Sequence, residues 1–169
     1  MKISIEIIKY EEKEILRNLL EKYFYEFSQY VADEMNDLGL FGYKYLDEYW
    51  YDETCFPFFI KADGKLAGFA LINNISEAEA KTDYTMSEFF VIYKYRHQNI
   101  AQKAVKLLFE KFKGTWQLMY NPKNIVSQKF WTRIVQTEDK NFRLILDSPM
   151  AVYEPDIQGH VLVFEISKF

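Results

Sequence analysis

Cysteine occurs once in the 169 residues, at Cys55. No disulfide can form within the chain, and a reducing, cytoplasmic setting is expected. Histidine is also scarce, only His97 and His160, and no His/Cys/Asp/Glu grouping has metal-ligand spacing, so no metal is expected. With six glycines, four prolines and no Gly/Pro/Ser-rich tract or repeat, residues 1–169 are expected to form a single domain. No apolar run approaches the roughly 18 residues of a membrane span, and the acid-dotted start MKISIEIIKYEEKEIL lacks the apolar centre of a secretory signal. Positive charge is in deficit, the formal net charge being −4. That argues against a general nucleic-acid binder, yet leaves room for a small polyanion held at one local site.

What the chain has instead is apolar mass, 49% of residues, with 13 tyrosines and 15 phenylalanines. Ile3, Ile5 and Ile7 alternate as in a short strand. From Glu11 the period changes: Ile15, Leu16, Leu19, Leu20, Tyr23, Phe24, Phe27, Tyr30 and Val31 make one stripe at helical spacing, without an obvious N-cap. The glycines of NDLGLFGY end that helix, and a shorter one is expected over Tyr43–Tyr51. CFPFFIKADGKLAGFALINN reads as a hairpin turning on Asp63-Gly64, with Gly68 marking a bulge or a close backbone approach. Further strands are expected over Thr85–Tyr93, at TWQLMY, and around Phe142–Leu146 and His160–Ile166. Helices are expected over Ile100–Phe112 and after Asn124, a natural cap. The order β-α-α-β-β-β-α-β-α-β-β belongs to an α/β (α+β) domain with a mixed sheet.

The chemistry-bearing stretch is YKYRHQNIAQKAVKLLFEKFKG, Tyr93–Gly114, where a strand hands over to a helix through Arg96, His97, Gln98 and Asn99. The first N–H groups of such a helix, at the positive end of its dipole, form a ready anion site. Residues 96–101, Arg-His-Gln-Asn-Ile-Ala, read against Q/R-x-x-G-x-G/A with Asn99 in place of glycine. Asn is the non-glycine residue most tolerant of a left-handed backbone. The lead-in carries Val91, Tyr95 and Arg96 of V-x-P-x-Y-R. Downstream, NIVSQKFW carries Asn124 and Phe130 of N-x-x-A-x-x-F/L-Y, with Ser127 for Ala and Trp131 for Tyr.

In these motifs the chain resembles the GNAT (Gcn5-related) N-acetyltransferases. The resemblance implies a GNAT-like acyl-CoA N-acyltransferase fold, a central mixed, mostly antiparallel sheet flanked by helices. It also implies acetyl-CoA as acyl donor. Arg96, His97, Gln98, Asn99, Ile100 and Ala101 would cradle its diphosphate, backbone groups of Phe90 and Val91 would hold the pantetheine arm and polarise the acetyl carbonyl, and Asn124 would contact that arm. His97 reads equally as an exposed turn residue, and Lys103 and Lys106, which would lie near the 3′-phosphate, as a solvated helix face. Glu88, in SEFFVIY, is the candidate base, with a solvent-facing strand acid as the competing reading. Trp131 stands where the family places its general-acid tyrosine. An indole donates a hydrogen bond but no proton, so Tyr120, Tyr95, Tyr93, water or an unassisted thiolate remain for that role.

The acceptor region of the family corresponds to ADEMNDLGLFGYKYLDEYWYDET, where Glu34, Asp37, Asp47, Glu48, Asp52 and Glu53 mix with Tyr43, Tyr45, Tyr49, Trp50 and Tyr51. Carboxylates and aromatic faces suit a cationic amine, either a small molecule or a peptide amine. Two other functions fit the residues: a non-catalytic acyl-CoA-binding module, and a protein-interaction domain on the same fold. An exposed sheet edge would also permit a homodimer.

Overall fold

The computed structural model describes residues 1–167. Its elements are β1 (Ile3–Ile7), α1 (Lys13–Phe27), α2 (Glu48–Tyr51), β2 (Phe56–Ala62), β3 (Lys65–Asn73), β4 (Tyr84–Val91), α3 (Ile100–Lys111), β5 (Gly114–Tyr120), α4 (Ile125–Glu138), β6 (Arg143–Ile145), β7 (Val152–Glu154), β8 (Ile157–Gln158) and β9 (His160–Ile166). Seven strands form one sheet in the order β1-β2-β3-β4-β5-β9-β6, and β7 and β8 form a separate ribbon. The β1–β2, β2–β3, β5–β9 and β6–β9 pairs are antiparallel and β4–β5 is parallel. This is the mixed, mostly antiparallel α/β architecture that the motifs implied. Packing divides the chain into two compact units, Met1–Ile72 with Glu88–Leu107, and Asn73–Ser87 with the chain from Leu108 onward. Strand β4 and helix α3 contribute residues to both.

In the first unit the α1 stripe does what its spacing requires. Leu16, Leu19 and Leu20 are buried with Ile8, Leu46, Tyr49, Phe59, Phe69, Leu71 and Phe90, and Tyr23 and Phe24 pack against them. Each fully buried aliphatic side chain contributes about 1.5–3 kcal/mol. The helix starts from a 3₁₀ turn at Tyr10–Glu12, where the Glu12 carboxylate accepts the Lys9 N–H at 3.0 Å. It ends at Phe27, short of the expected Val31, because the Ser28 hydroxyl and the Gln29 amide donate to the carbonyls of Tyr25 and Glu26. The expected second helix shrinks to Glu48–Tyr51, and residues 43–47 form tighter turns. That segment is tied down by the Lys13–Asp47 ion pair and by the Trp50 indole N–H on the Ile8 carbonyl at 2.9 Å. The Glu21 carboxylate accepts the N–H groups of Phe41 and Gly42, both at 2.8 Å, and so holds the intervening loop to α1.

The opposite face of the same strands buries Ile60, Ala62, Ala67 and Val91 against Ile100 and Ala104 of α3. The hairpin turns on Asp63 and Gly64, both at positive φ as the sequence requires. Gly68 proves to be both a bulge site and a close approach. The β2–β3 register slips between Ile60 and Lys61, and a side chain at Gly68 would run into the Phe90 carbonyl of β4.

The second unit is organised around Trp116 and Gln117, each fully buried. Trp116 packs on Tyr84, Phe109, Phe112 and Phe164 and donates its indole N–H to the Phe112 carbonyl at 3.0 Å. The Gln117 amide accepts the Glu77 N–H at 2.8 Å and donates to the Ala80 carbonyl at 2.9 Å, so one side chain satisfies the polar loop before β4. The β7–β8 ribbon lies outside the sequence-level expectation, its strands being too short to carry an alternation.

Replacing Gly68 with alanine drives the new methyl into the Phe90 carbonyl oxygen and leaves it 3.0 Å from the Phe90 carbonyl carbon and the Val91 Cα, all backbone atoms. Urea denaturation of Gly68→Ala is expected to show a loss of about 1–3 kcal/mol, with a lowered midpoint and an unchanged slope.

Candidate active site

The handover from β4 to α3 is built by backbone handedness. Arg96 is extended at φ −72°, ψ 162°. His97 and Asn99 both lie at φ 59°, and Gln98 between them does not share that sign. Such alternation turns successive N–H groups toward one side, forming an anion-binding concavity. The helical ladder starts with the Lys103 N–H on the Asn99 carbonyl at 3.1 Å, which leaves the amides ahead of it outside the ladder. Asn99 adopts the left-handed conformation expected of a glycine substitute. His97 does so too, which nothing in its residue type announces.

The side chains of the loop have separate tasks. Ile100 is buried and anchors the start of α3, so its backbone amide is what it offers a ligand. The Gln98 amide donates to the Lys94 carbonyl at 2.8 Å and closes the turn, while His97 is exposed. Arg96 is an anchor. Its terminal nitrogen donates to both Glu26 oxygens, at 2.8 and 2.7 Å, and its Nε donates to the Val91 carbonyl at 2.8 Å. The guanidinium also lies 5.6 Å from the Phe90 ring centroid and 5.5 Å from that of Tyr93. Glu26, which sequence reading passed over, is thus the residue that holds the loop's first side chain.

Strand parity sorts the end of β4. The Phe90 carbonyl is packed against Gly68 of β3, and the Ile92 N–H donates to the Ala67 carbonyl at 2.8 Å. Residues 90 and 92 therefore face β3, and the Val91 backbone faces the other edge, where its carbonyl receives Arg96. Of the two backbone positions singled out, Val91 directs its N–H outward and Phe90 contributes its ring to the core. Glu88 is half-buried and shares the Phe90 face, the side on which α1 packs. Tyr93 is 77% exposed, and Tyr95 packs against the cluster around Ile100.

In the second unit the β4–β5 ladder covers Tyr84–Met86 and Trp116–Leu118, and no pairing of Met119 or Tyr120 with β4 follows among the described residues. Asn124 caps α4, its Oδ1 accepting the Ser127 N–H at 3.0 Å. Its side-chain NH2 is the part that such a cap does not use. Trp131 is buried on α4 and packs edge-on to Phe130 at 4.9 Å. Tyr120 is buried, and that burial pushes its phenol up, opposed in part by the Thr132 hydroxyl.

The sequence matches the Acetyltransferase (GNAT) family profile over residues 13–135, well over half of the chain. The chain belongs to the GNAT acetyltransferase family. No functionally curated protein matches this GNAT sequence significantly. Solved structures share the GNAT fold along the whole chain at low identity. An acetyltransferase from Thermus thermophilus superposes with a TM-score of 0.69 at 11% identity, covering 98% of both chains. The PaiA N-acetyltransferase of Thermoplasma acidophilum, solved with coenzyme A, gives 0.61 at 13% identity and covers 98% of this chain and 99% of its own. Diaminobutyrate acetyltransferase EctA of Paenibacillus lautus, solved with L-2,4-diaminobutyric acid and coenzyme A, gives 0.64 at 13%, covering 97% and 95%.

Within this GNAT domain much of the acid-and-aromatic stretch before β2 has structural work. Asp47 pairs with Lys13, Asp52 caps Thr54 at 2.8 Å, Tyr49 is buried, and Tyr43 packs on Phe24. Tyr45 and Tyr51 keep exposed rings, and Glu34, Asp37, Glu48 and Glu53 lie at the surface. No group of three or more His, Cys, Asp or Glu is placed to hold a metal among the described residues.

The loop's geometry makes Asn99 testable in both directions. Asn99→Ala puts an ordinary side chain into the left-handed region and is expected to cost about 1–2 kcal/mol. Asn99→Gly removes Cβ without that strain, and chemical denaturation should place it within about 0.5 kcal/mol of the parent.

Proposed function

We propose that the protein is an N-acetyltransferase that moves the acetyl group of acetyl-CoA onto a primary amine. The observation that carries this reading is the handedness alternation at His97 and Asn99 ahead of α3, which turns backbone donors toward one side as an anion such as a diphosphate requires. Residues 96–101 then hold the donor substrate's diphosphate mainly through backbone N–H groups, with the Arg96 side chain positioning the loop rather than meeting phosphate. Val91 N–H faces the reacting carbonyl.

In the reaction, Glu88 accepts a proton from the amine. The freed nitrogen lone pair attacks the thioester carbon, and the oxygen's developing charge is met by the Val91 N–H. The C–S bond breaks, the sulfur keeps the electron pair, and the second proton, which the nitrogen sheds as the amide forms, passes to the thiolate directly or through solvent. The acceptor is a small cationic amine or a lysine or N-terminal amine, suited to the acids and aromatic rings left exposed before β2.

A second reading has its own observation. Trp131, buried where the family carries its proton-donating tyrosine, supplies no proton, and a non-catalytic acyl-CoA-binding module would share every other feature. Calorimetric titration with acetyl-CoA, with dephospho-CoA as comparison, followed by an amine screen reading thiol release, separates the two. Binding with turnover supports the enzyme, binding without turnover on any amine supports the module, and no binding at millimolar ligand overturns both.

Given turnover, Glu88→Gln should lower kcat by about two to four orders of magnitude while the acetyl-CoA Kd stays within about twofold of the parent. Unchanged kcat in that variant removes Glu88 from the mechanism.

A further inference from the structure

In the second unit β6 is an edge strand. It pairs with β9 through Arg143↔Val163, Leu144↔Leu162 and Ile145↔Val161, and with no other strand among the described residues. On β9 the Glu165 N–H donates to the Asp139 carboxylate, just ahead of β6, at 3.0 Å, so the odd-numbered residues of β9 turn their backbone toward β6. Arg143 and Ile145 are therefore the β6 residues bonded to β9. The Asp147 N–H follows the same side, donating to His160 Nδ1 at 3.1 Å. By that alternation the backbone groups of Leu144 and Leu146 point away from β9.

Exposed edges are commonly blunted by lysine or proline. Neither occurs in residues 143–147, Arg-Leu-Ile-Leu-Asp. Leu144 and Leu146 are 44% and 60% exposed. Arg143 is exposed and has no ion-pair partner among the described residues. The Asp147 side chain is 69% exposed, and its carboxylate lies 3.6 Å from His160 Nδ1, a nitrogen already accepting the Asp147 N–H.

The stretch is complementary to itself. Two antiparallel copies related by a two-fold axis can exchange main-chain bonds only where outward-facing residues meet, which admits few registers. Centred on Arg143, the two arginines oppose each other. Centred on Leu144, each arginine faces an isoleucine. Centred on Ile145, Leu144 of each copy meets Leu146 of the other in hydrogen-bonded pairs. Each Arg143 then faces an Asp147 in the closer, non-hydrogen-bonded pairs.

We propose that β6 docks on β6 of a second copy of this chain, antiparallel and centred on Ile145, to form a homodimer. The leucines of both copies cluster on one face of the joint, and the Arg143–Asp147 pairs bracket Ile145 on the other. A two-fold contact consumes the edge on both copies, so association through it stops at two. An unrelated partner strand would not require opposite charges at equal distances either side of one residue. The inference is independent of the acetyl-CoA reading.

Sedimentation equilibrium tests it on the parent, Arg143→Asp, Asp147→Arg, Leu144→Lys and an equimolar mixture of the first two variants, with circular dichroism confirming the fold of each. The parent should reach twice the 20.3 kDa of one chain. Arg143→Asp and Asp147→Arg each set like charges opposite one another at both ends of the joint, and each should raise the dimer Kd at least about tenfold. Mixed, they restore opposite charges at both ends, and the heterodimer Kd should return to within about threefold of the parent's. Leu144→Lys, which leaves the charge pairs intact, should also weaken the dimer at least about tenfold. A parent that stays monomeric at about 100 µM, or that assembles beyond a dimer, overturns the proposal. So does parent-like association in any single variant, or a mixture no stronger than its components. Should Asp147→Arg fail to fold, the parent, Arg143→Asp and Leu144→Lys decide the matter by the same criteria.

Discussion

The Arg96 guanidinium is the point on which the first unit's functional geometry turns. One side chain joins α1 through Glu26, the end of β4 through the Val91 carbonyl, and the aromatic faces of Phe90 and Tyr93. Only arginine can make these contacts together, because its planar fork donates in several directions while its face stacks. The pair with Glu26 is partly exposed, at 30% and 40%, and such a pair alone contributes little to stability. Its value lies in fixing where the chain goes next.

Immediately after Arg96 the backbone enters two left-handed residues within three positions. Each such residue other than glycine costs on the order of 1 kcal/mol, so a free loop would relax. It is held at both ends: upstream by Arg96, downstream by Ile100, which is buried against Ile60, Ala67 and Ala104. Gly68 completes the frame, because β3 can approach Phe90 closely only without a side chain there. Strained amides between two fixed points are pre-organised donors, and a polyanion that binds them need not supply the ordering itself.

Local rules explain what was legible in the sequence. The turn at Asp63-Gly64, the left-handed Asn99 and the Asn124 cap follow from residue type and immediate neighbours, and α1, α3 and α4 from apolar spacing. Helix α2 was overestimated because its aromatics keep helical spacing while Trp50 and Tyr49 are drawn to Ile8 and the core by contacts remote in sequence. Glu26 was missed for the same reason. It sits 70 residues from Arg96, on the polar margin of a helix whose local pattern is set by its apolar stripe. His97 at positive φ is imposed by its anchored neighbours, and no property of histidine signals it.

Two of the departures from the family's motifs, Asn99 and Trp131, differ in physical weight. Asn99 keeps the conformation that glycine would supply, at the modest backbone cost of a left-handed non-glycine residue and the space its Cβ takes. Trp131 changes chemistry, because a buried indole offers a hydrogen bond and never a proton. In the proposed reaction the leaving group is a thiolate, a weaker base than the amine that displaces it. Such a group can depart carrying its charge and be protonated afterwards by water. The demand for an acid on the sulfur side is therefore smaller than the demand for a base on the nitrogen side, where an ammonium ion cannot attack at all. In that proposed reaction a carboxylate at Glu88 would supply the half of acid–base catalysis that the chemistry needs more.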